Sequence, residues 1–116
     1  MKKMFLICPV RNISEQDRKD LLLTLKKLES EYEVYYPARD TDQNDNTGYR
    51  ICTDNKNAIM QADIIGVYWD GKSQGGLFDM GMAFALNKPI KVILTPSKTE
   101  GKSFQNMLME WECDRV

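Results

Sequence analysis

Asp79 is the residue of this chain with the most chemical promise, because it follows paired glycines, Gly75 and Gly76, shortly after an apolar run. That run, Ile64–Trp69, predicts a buried strand, and the residues after Ser73 predict a helix that leaves it. Open α/β sheets bind ligands at the carboxyl ends of their strands. We therefore expect the Asp79 carboxylate at the mouth of such a site, where it could carry catalysis.

Asp79 and its glycines also have a purely structural interpretation. The helix macrodipole favours acids in the first turn of a helix, whatever the function. Gly75 and Gly76 could likewise serve turn geometry and close packing of the helix on the sheet. Residue spacing alone leaves both interpretations open.

Further polar residues fall in the loops that should follow the strands. These loops cover residues 8–11, 38–42, 70–76 and 95–97, and they contain Arg11, Arg39, Asp70 and Ser73. Cationic side chains beside a helix N-terminus suit an anionic group such as a phosphate. Asn55 shares a helical face with Cys52 and Ile59, which predicts that its amide points inward.

Several classes of site are excluded by residues that the sequence lacks. With no histidine, the chain has no Ser-His or Cys-His nucleophile pair and no histidine-ligated metal. Its three cysteines are widely spaced, which predicts neither a zinc site nor a disulfide framework and favours a reduced, cytoplasmic protein. Neither the phosphate-loop motif nor G-x-G-x-x-G is present. We expect no metal and no cofactor.

Length and composition indicate an ordinary globular domain. The 116 residues predict one domain over 1–116, and 42% hydrophobic with 28% charged residues is typical of such domains. A net charge of −1 gives no electrostatic attraction for nucleic acid or an anionic membrane. No apolar run approaches the roughly 18 residues of a membrane span. The apolar start of the chain is too short for a signal peptide and predicts a first strand.

Strand and helix patterns alternate along the whole chain. The predicted strands are Met4–Pro9, Glu33–Tyr36, Asp63–Tyr68 and Ile90–Leu94, and a short fifth strand could lie at the very C-terminus. The predicted helices are Glu15–Ser30, Tyr49–Gln61, Gly76–Leu86 and Gly101–Glu112. Residues 39–48 predict a long polar loop. This alternation predicts an α/β fold with a four- to five-stranded, mainly parallel sheet and helices on both faces.

Three stretches together resemble the nucleoside 2-deoxyribosyltransferase family, which includes the 2′-deoxynucleoside 5′-monophosphate N-hydrolases. They are Met1–Pro9, Asp54–Ile65 and, most specifically, Gly75–Pro89. The resemblance implies a flavodoxin-like or Rossmann-like three-layer sandwich that assembles as a homodimer or a larger homo-oligomer. It also implies cleavage of an N-glycosidic bond after a carboxylate attacks the anomeric carbon, a chemistry related to glycoside hydrolysis.

The resemblance assigns roles to individual residues. Asp79 falls where the family has its nucleophilic glutamate, and Asn55 falls where an aspartate often orients the sugar or the base. Phe5 replaces a tyrosine common in the transferases. Ser73 and Arg11 match the phosphate-binding residues of the monophosphate hydrolases. We therefore expect Asp79 and Asn55 to be catalytic.

The remaining site residues are expected to contact the substrate, a small-molecule nucleoside or nucleotide. They are Arg11, Ser73, Gly75, Asp70 and Arg39. The expected reaction is hydrolysis or transfer at the N-glycosidic bond of a 2′-deoxynucleoside or its 5′-monophosphate. Two alternatives remain open: a nucleotide-binding module without catalysis, and an NAD-cleaving relative of TIR-like domains.

Overall fold

Four parallel strands form the centre of the computed structural model, which describes residues 1–114. Their order across the sheet is β2-β1-β3-β4, which is the flavodoxin-like order, so the predicted α/β fold is confirmed. The strands are β1 (Lys2–Ile7), β2 (Tyr32–Tyr35), β3 (Ile64–Tyr68) and β4 (Ile90–Leu94).

The chain runs from β1 outward to β2 and then crosses back over β1 to reach β3 on its other side. Met4 of β1 pairs with Val34 of β2 on one side and with Ile64 of β3 on the other. The connection that leaves β1 therefore runs to one side of the sheet, to β2, and the connection that leaves β3 runs to the other side, to β4. In such sheets the divergence opens a crevice at the carboxyl ends of the two central strands.

Five helices connect or follow the strands. They are α1 (Glu15–Glu29), α2 (Pro37–Asp40), α3 (Tyr49–Gln61), α4 (Gln74–Ala85) and α5 (Phe104–Asp114). α1 covers one face of the sheet, where Leu21 and Leu25 pack on Leu6. On the other face, Phe5 and Ile65 are buried with residues of α3, α4 and α5.

One prediction of local structure was wrong, and one that the sequence left open is decided for the described residues. The loop expected over residues 39–48 is shorter, because the helix α2 occupies Pro37–Asp40. Pro37 begins this helix, as its fixed φ and missing N–H allow. A C-terminal fifth strand does not form within the described residues, since α5 runs to Asp114; residues 115–116 lie outside them.

Two other helix boundaries differ from the prediction because serines cap them. α4 begins at Gln74, since the Ser73 hydroxyl accepts a hydrogen bond from the N–H of Gly76. Ser103 caps α5 in the same way through Asn106, and Gly101 lies before it with a φ of 74°. None of the helices described is long and apolar enough to cross a membrane.

Candidate functional site

Asp79 lies in the second turn of α4, which packs closely on the end of β3. A Cβ on Gly76 would lie 3.1 Å from Cδ1 of Trp69, so a glycine there lets the helix approach the strand. Burial raises the pKa of Asp79 to about 7. Over the described part of the chain, the carboxyl group has no hydrogen-bond or ion-pair partner.

Three elements of the fold lie close together around Asp79. Burial raises the pKa of the Cys8 thiol to about 12, and the Asp79 carboxylate adds to that shift. The same two causes raise the pKa of Cys52. Cys8 follows β1 and Cys52 belongs to α3, so β1, α3 and α4 bring these side chains within electrostatic range of one another. Because the Cys8 thiol keeps its proton at neutral pH, Asp79 is the better candidate for a nucleophile.

Asn55 lies one turn after Cys52 on α3 and is only 7% exposed. Its Oδ1 accepts a hydrogen bond of 2.8 Å from the Thr41 hydroxyl. Thr41 Oγ1 in turn lies 2.6 Å from Tyr35 Oη. The inward orientation expected for Asn55 is therefore present, and its partner is a side chain rather than the backbone.

The loop between β3 and α4 is organised by Asp70 and Ser73. The Asp70 carboxylate accepts hydrogen bonds of 2.8 Å from the backbone N–H groups of Lys72 and Ser73. Ser73 then caps α4, and Gly75 is exposed in the first turn. Asp70 therefore shapes the loop, while the Gly75 N–H and the proton of the Ser73 hydroxyl are able to donate to a ligand.

The two arginines of the predicted site have different surroundings. Arg11 is exposed in the loop after β1, and no described residue pairs with it. Arg39 donates to the carboxylates of Glu29 and Asp40 and to the Val34 carbonyl, at 2.8–3.1 Å. Since these contacts direct its guanidinium along the outer edge of β2, the structure does not bring Arg39 to Asp79.

A cavity also lies along this outer edge rather than at Asp79. It has a volume of about 820 Å³ and is lined by residues of β2, α2 and α3, including Arg39 and Asp54. Most of its charged lining residues are already paired, among them Arg39 with Asp40. The half-buried Asp79 carboxyl, which has no such partner among the described residues, is the stronger indication of a chemical site.

Thr41 and Tyr35 are the residues of this region that sequence reasoning missed. Thr41 lies in a segment predicted as a loop, and its partner Asn55 is 14 residues away. No local pattern signals such a contact. Within residues 1–114, no three acidic or cysteine side chains cluster in a way that could hold a metal ion.

Comparison with known proteins adds one informative similarity. No family model matches the chain, and no curated protein matches its sequence. Among solved structures, it is similar to the CMP N-glycosidase from Clostridium botulinum, with a TM-score of 0.55 and 22% sequence identity. The match covers 93% of this chain and 81% of the other.

The two chains share a fold. At 22% sequence identity, the similarity to the CMP N-glycosidase concerns the overall α/β architecture alone.

Proposed function

We propose that this protein cleaves the N-glycosidic bond of a 2′-deoxynucleoside 5′-monophosphate or of the 2′-deoxynucleoside itself, with Asp79 as the nucleophile. The observation that carries the proposal is the half-buried Asp79 carboxyl, which has no partner among residues 1–114 and whose pKa is raised to about 7. A carboxylate that no protein group engages keeps its oxygens available to attack a carbon atom. Its position near the carboxyl end of β3 is where ligands bind in this fold.

The proposed reaction begins when an oxygen of Asp79 attacks the anomeric carbon of the sugar. The new C–O bond forms as the C–N bond breaks, and the base leaves with the bonding electrons and takes up a proton. Water or a second base then displaces the carboxylate and restores the enzyme. Because the pKa of Asp79 is about 7, the ionised form needed for attack is abundant at neutral pH.

Three groups near the start of α4 and after β1 support a phosphate on the substrate. Arg11 carries an unpaired positive charge in the described structure, and the Ser73 hydroxyl and the Gly75 N–H can donate at the N-terminus of α4. The structural neighbour acts on CMP, a 5′-monophosphate. We propose the monophosphate as the preferred substrate, and a homo-oligomer as the working form of the protein.

Chromatography of free bases tests the activity. The protein is incubated with each deoxynucleoside, each deoxynucleoside 5′-monophosphate, CMP and NAD. We expect base release from deoxynucleotides by the wild type, none by Asp79→Asn, and a changed rate for Asp79→Glu, which lengthens the side chain by one methylene. If no substrate yields a free base with the wild type or Asp79→Glu, the catalytic proposal is wrong.

The phosphate proposal is tested with Arg11→Ala. We expect this variant to weaken binding of deoxynucleotides by about 1.5–3 kcal/mol, the usual scale for a hydrogen bond to a charged group, and to leave nucleosides almost unchanged. Isothermal titration with each ligand pair measures both. Exposed Arg18 on α1, changed to alanine, is the matched control for loss of a positive charge. Equal losses for both ligand classes would contradict a phosphate contact.

A further inference from the structure

Three side chains from separate elements form a hydrogen-bonded series behind the proposed site. Tyr35 ends β2, Thr41 follows α2, and Asn55 lies in the middle of α3. Tyr35 Oη and Thr41 Oγ1 are 2.6 Å apart, and Thr41 Oγ1 and Asn55 Oδ1 are 2.8 Å apart. Thr41 is 3% exposed and Asn55 is 7% exposed, so the hydrogen bond between them is shielded from water, and the contact with Tyr35 is partly shielded. Hydrogen bonds in such surroundings are stronger, and breaking one is costly.

The donors and acceptors of the series follow from simple counting. A hydroxyl carries one proton, and an amide oxygen can only accept. Thr41 must therefore give its proton to Asn55 Oδ1, and its oxygen then accepts the proton of Tyr35. If the amide were rotated, its nitrogen would face Thr41, and the Thr41 hydroxyl would donate to Tyr35 instead. The Tyr35 hydroxyl would then donate to the Asp40 carbonyl, at 3.3 Å. The structure has the first arrangement, in which the Thr41 hydroxyl donates to Asn55 Oδ1 and Tyr35 lies 2.6 Å from Thr41 Oγ1.

This arrangement leaves the nitrogen of the Asn55 amide as a donor. Its Nδ2 makes no hydrogen bond to a described residue. Within residues 1–114, Thr95 Oγ1 is the only side-chain polar atom that is both buried and without a hydrogen-bond partner. Asn55 Nδ2 also lacks a partner, so it must be accessible to water. Cys52, one turn earlier on α3, is within the electrostatic range of Asp79. Nδ2 is thus a donor available to a ligand on the helix that borders Asp79.

The far end of the series is held by the core. The ring of Tyr35 stacks on Phe5 of β1, with ring centroids 5.4 Å apart and planes inclined by 14°. Phe5 is completely buried in the sheet. Since this stacking holds the Tyr35 ring, the hydroxyl of Tyr35 has little freedom to leave Thr41.

We propose that Thr41, supported by Tyr35, is a positioning residue that holds the Asn55 amide with Nδ2 directed to the substrate. The substrate atom that meets Asn55 is then a hydrogen-bond acceptor, such as a sugar hydroxyl oxygen or a carbonyl oxygen of the base. This inference rests on the proposed function, because it assigns Asn55 to the substrate. Thr41 itself touches no reacting atom.

Steady-state kinetics of base release tests the role of Thr41. Thr41→Val keeps the shape of the side chain and removes its donor, whereas Thr41→Ser keeps the hydroxyl and is the control. We expect Thr41→Val to lower kcat/KM by about 10- to 100-fold and Thr41→Ser by about threefold or less. Tyr35→Phe, which removes only the second bond of the series, should give a smaller loss than Thr41→Val. A Thr41→Val enzyme as active as the wild type would overturn the proposal.

A double-mutant cycle separates positioning from a general loss of structure. In an Asn55→Ala background, Thr41→Val has no amide left to orient, so it should lower kcat/KM by about twofold or less. A purely structural role of Thr41 predicts the same loss in both backgrounds, and that result would overturn the proposal. Circular dichroism of each variant confirms that it is folded.

The side-chain amide signals of Asn55 test the series independently of any activity. In nuclear magnetic resonance spectra of ¹⁵N-labelled protein, we expect Thr41→Val to shift or broaden the two Nδ2 proton signals and Thr41→Ser to leave them nearly unchanged. Unchanged signals in Thr41→Val would overturn the proposal. If the wild type releases no base but the signals respond as expected, the proposed function has failed while the orientation of Asn55 by Thr41 stands.

Discussion

Asp79 illustrates at the scale of a single residue how a fold keeps a carboxyl group reactive. Most acids in this structure are exposed, or they accept hydrogen bonds as Asp70 does. Asp79 does neither within residues 1–114, and burial raises its pKa to about 7. Holding a carboxylate in this way lowers the stability of the folded state once the group is ionised. Such a cost is typical of residues kept for function rather than for stability.

The cost can be measured through the pH dependence of stability. The pKa of Asp79 is about 7 in the folded state against 3.8 for a free carboxyl, so the folded protein binds this proton more tightly. The free energy of unfolding therefore falls as the pH rises from about 4 to about 7, and is constant above that range. Asp79→Asn replaces the carboxyl with an amide, which does not titrate. We expect this variant to be more stable than the wild type at pH 8, by on the order of 2–4 kcal/mol, with the gain shrinking towards pH 4.

Urea denaturation followed by circular dichroism at several pH values measures this difference. Glu33→Gln, which neutralises an exposed carboxylate of β2, is the matched control. Its difference in stability from the wild type should hardly change with pH. A gain for Asp79→Asn that stays the same from pH 4 to pH 8 would contradict burial as the cause.

At the scale of an element, the outer edge of β2 shows how this sheet limits unwanted pairing. An edge strand exposes backbone groups that could bind another chain. Here Arg39 donates to the Val34 carbonyl, and Asp40 accepts from the Tyr36 N–H at 2.8 Å. On the opposite edge, the Glu112 carboxylate of α5 accepts from the Val92 N–H of β4. Side chains from neighbouring helices thus occupy backbone groups on both edges.

This arrangement gives Arg39 a structural role that a mutation can separate from substrate binding. We expect Arg39→Ala to lower the free energy of unfolding by about 1 kcal/mol, because the partly exposed ion pairs contribute little and the bond to Val34 about as much as an ordinary hydrogen bond. Nucleotide binding should be unchanged. Urea denaturation and isothermal titration measure the two effects.

Arg39→Lys is the matched control, since it keeps the charge and loses the forked geometry of the guanidinium. A loss of nucleotide affinity in Arg39→Ala without a loss of stability would show that Arg39 contacts the substrate after all.

At the scale of the whole molecule, the order of the strands decides which groups meet. β1 and β3 lie side by side, so the residues that follow them lie at the same carboxyl end of the sheet, together with the N-termini of α3 and α4. Gly71 and Pro96 are in contact across the loops that follow β3 and β4. The Cα radius of gyration is 13.6 Å, close to the ~13 Å expected for a folded domain of this length, so these elements pack as one compact body.

Local sequence patterns were sufficient to predict the four strands, four of the five described helices and a mainly parallel sheet. The four strands are short apolar runs, and α1 has leucines at helical spacing behind a serine cap, so each could be identified from its own residues. Alternation of strands and helices then implied a parallel sheet. α2 was missed because four residues beginning with Pro37 carry no periodicity by which to recognise a helix.

Contacts between distant residues were decided only by the tertiary structure. The sequence placed Arg39 and Asp79 after strands that are consecutive in the chain, β2 and β3, but ion pairs with Glu29 and Asp40 hold Arg39 on the outer edge of β2. Nothing near Asn55 in the chain indicates that Thr41 orients its amide. The pKa of Asp79 depends equally on what surrounds it, because burial is the sum of many contacts made across the fold. Residue type determined which chemistry was available, and packing determined which groups are free to perform it.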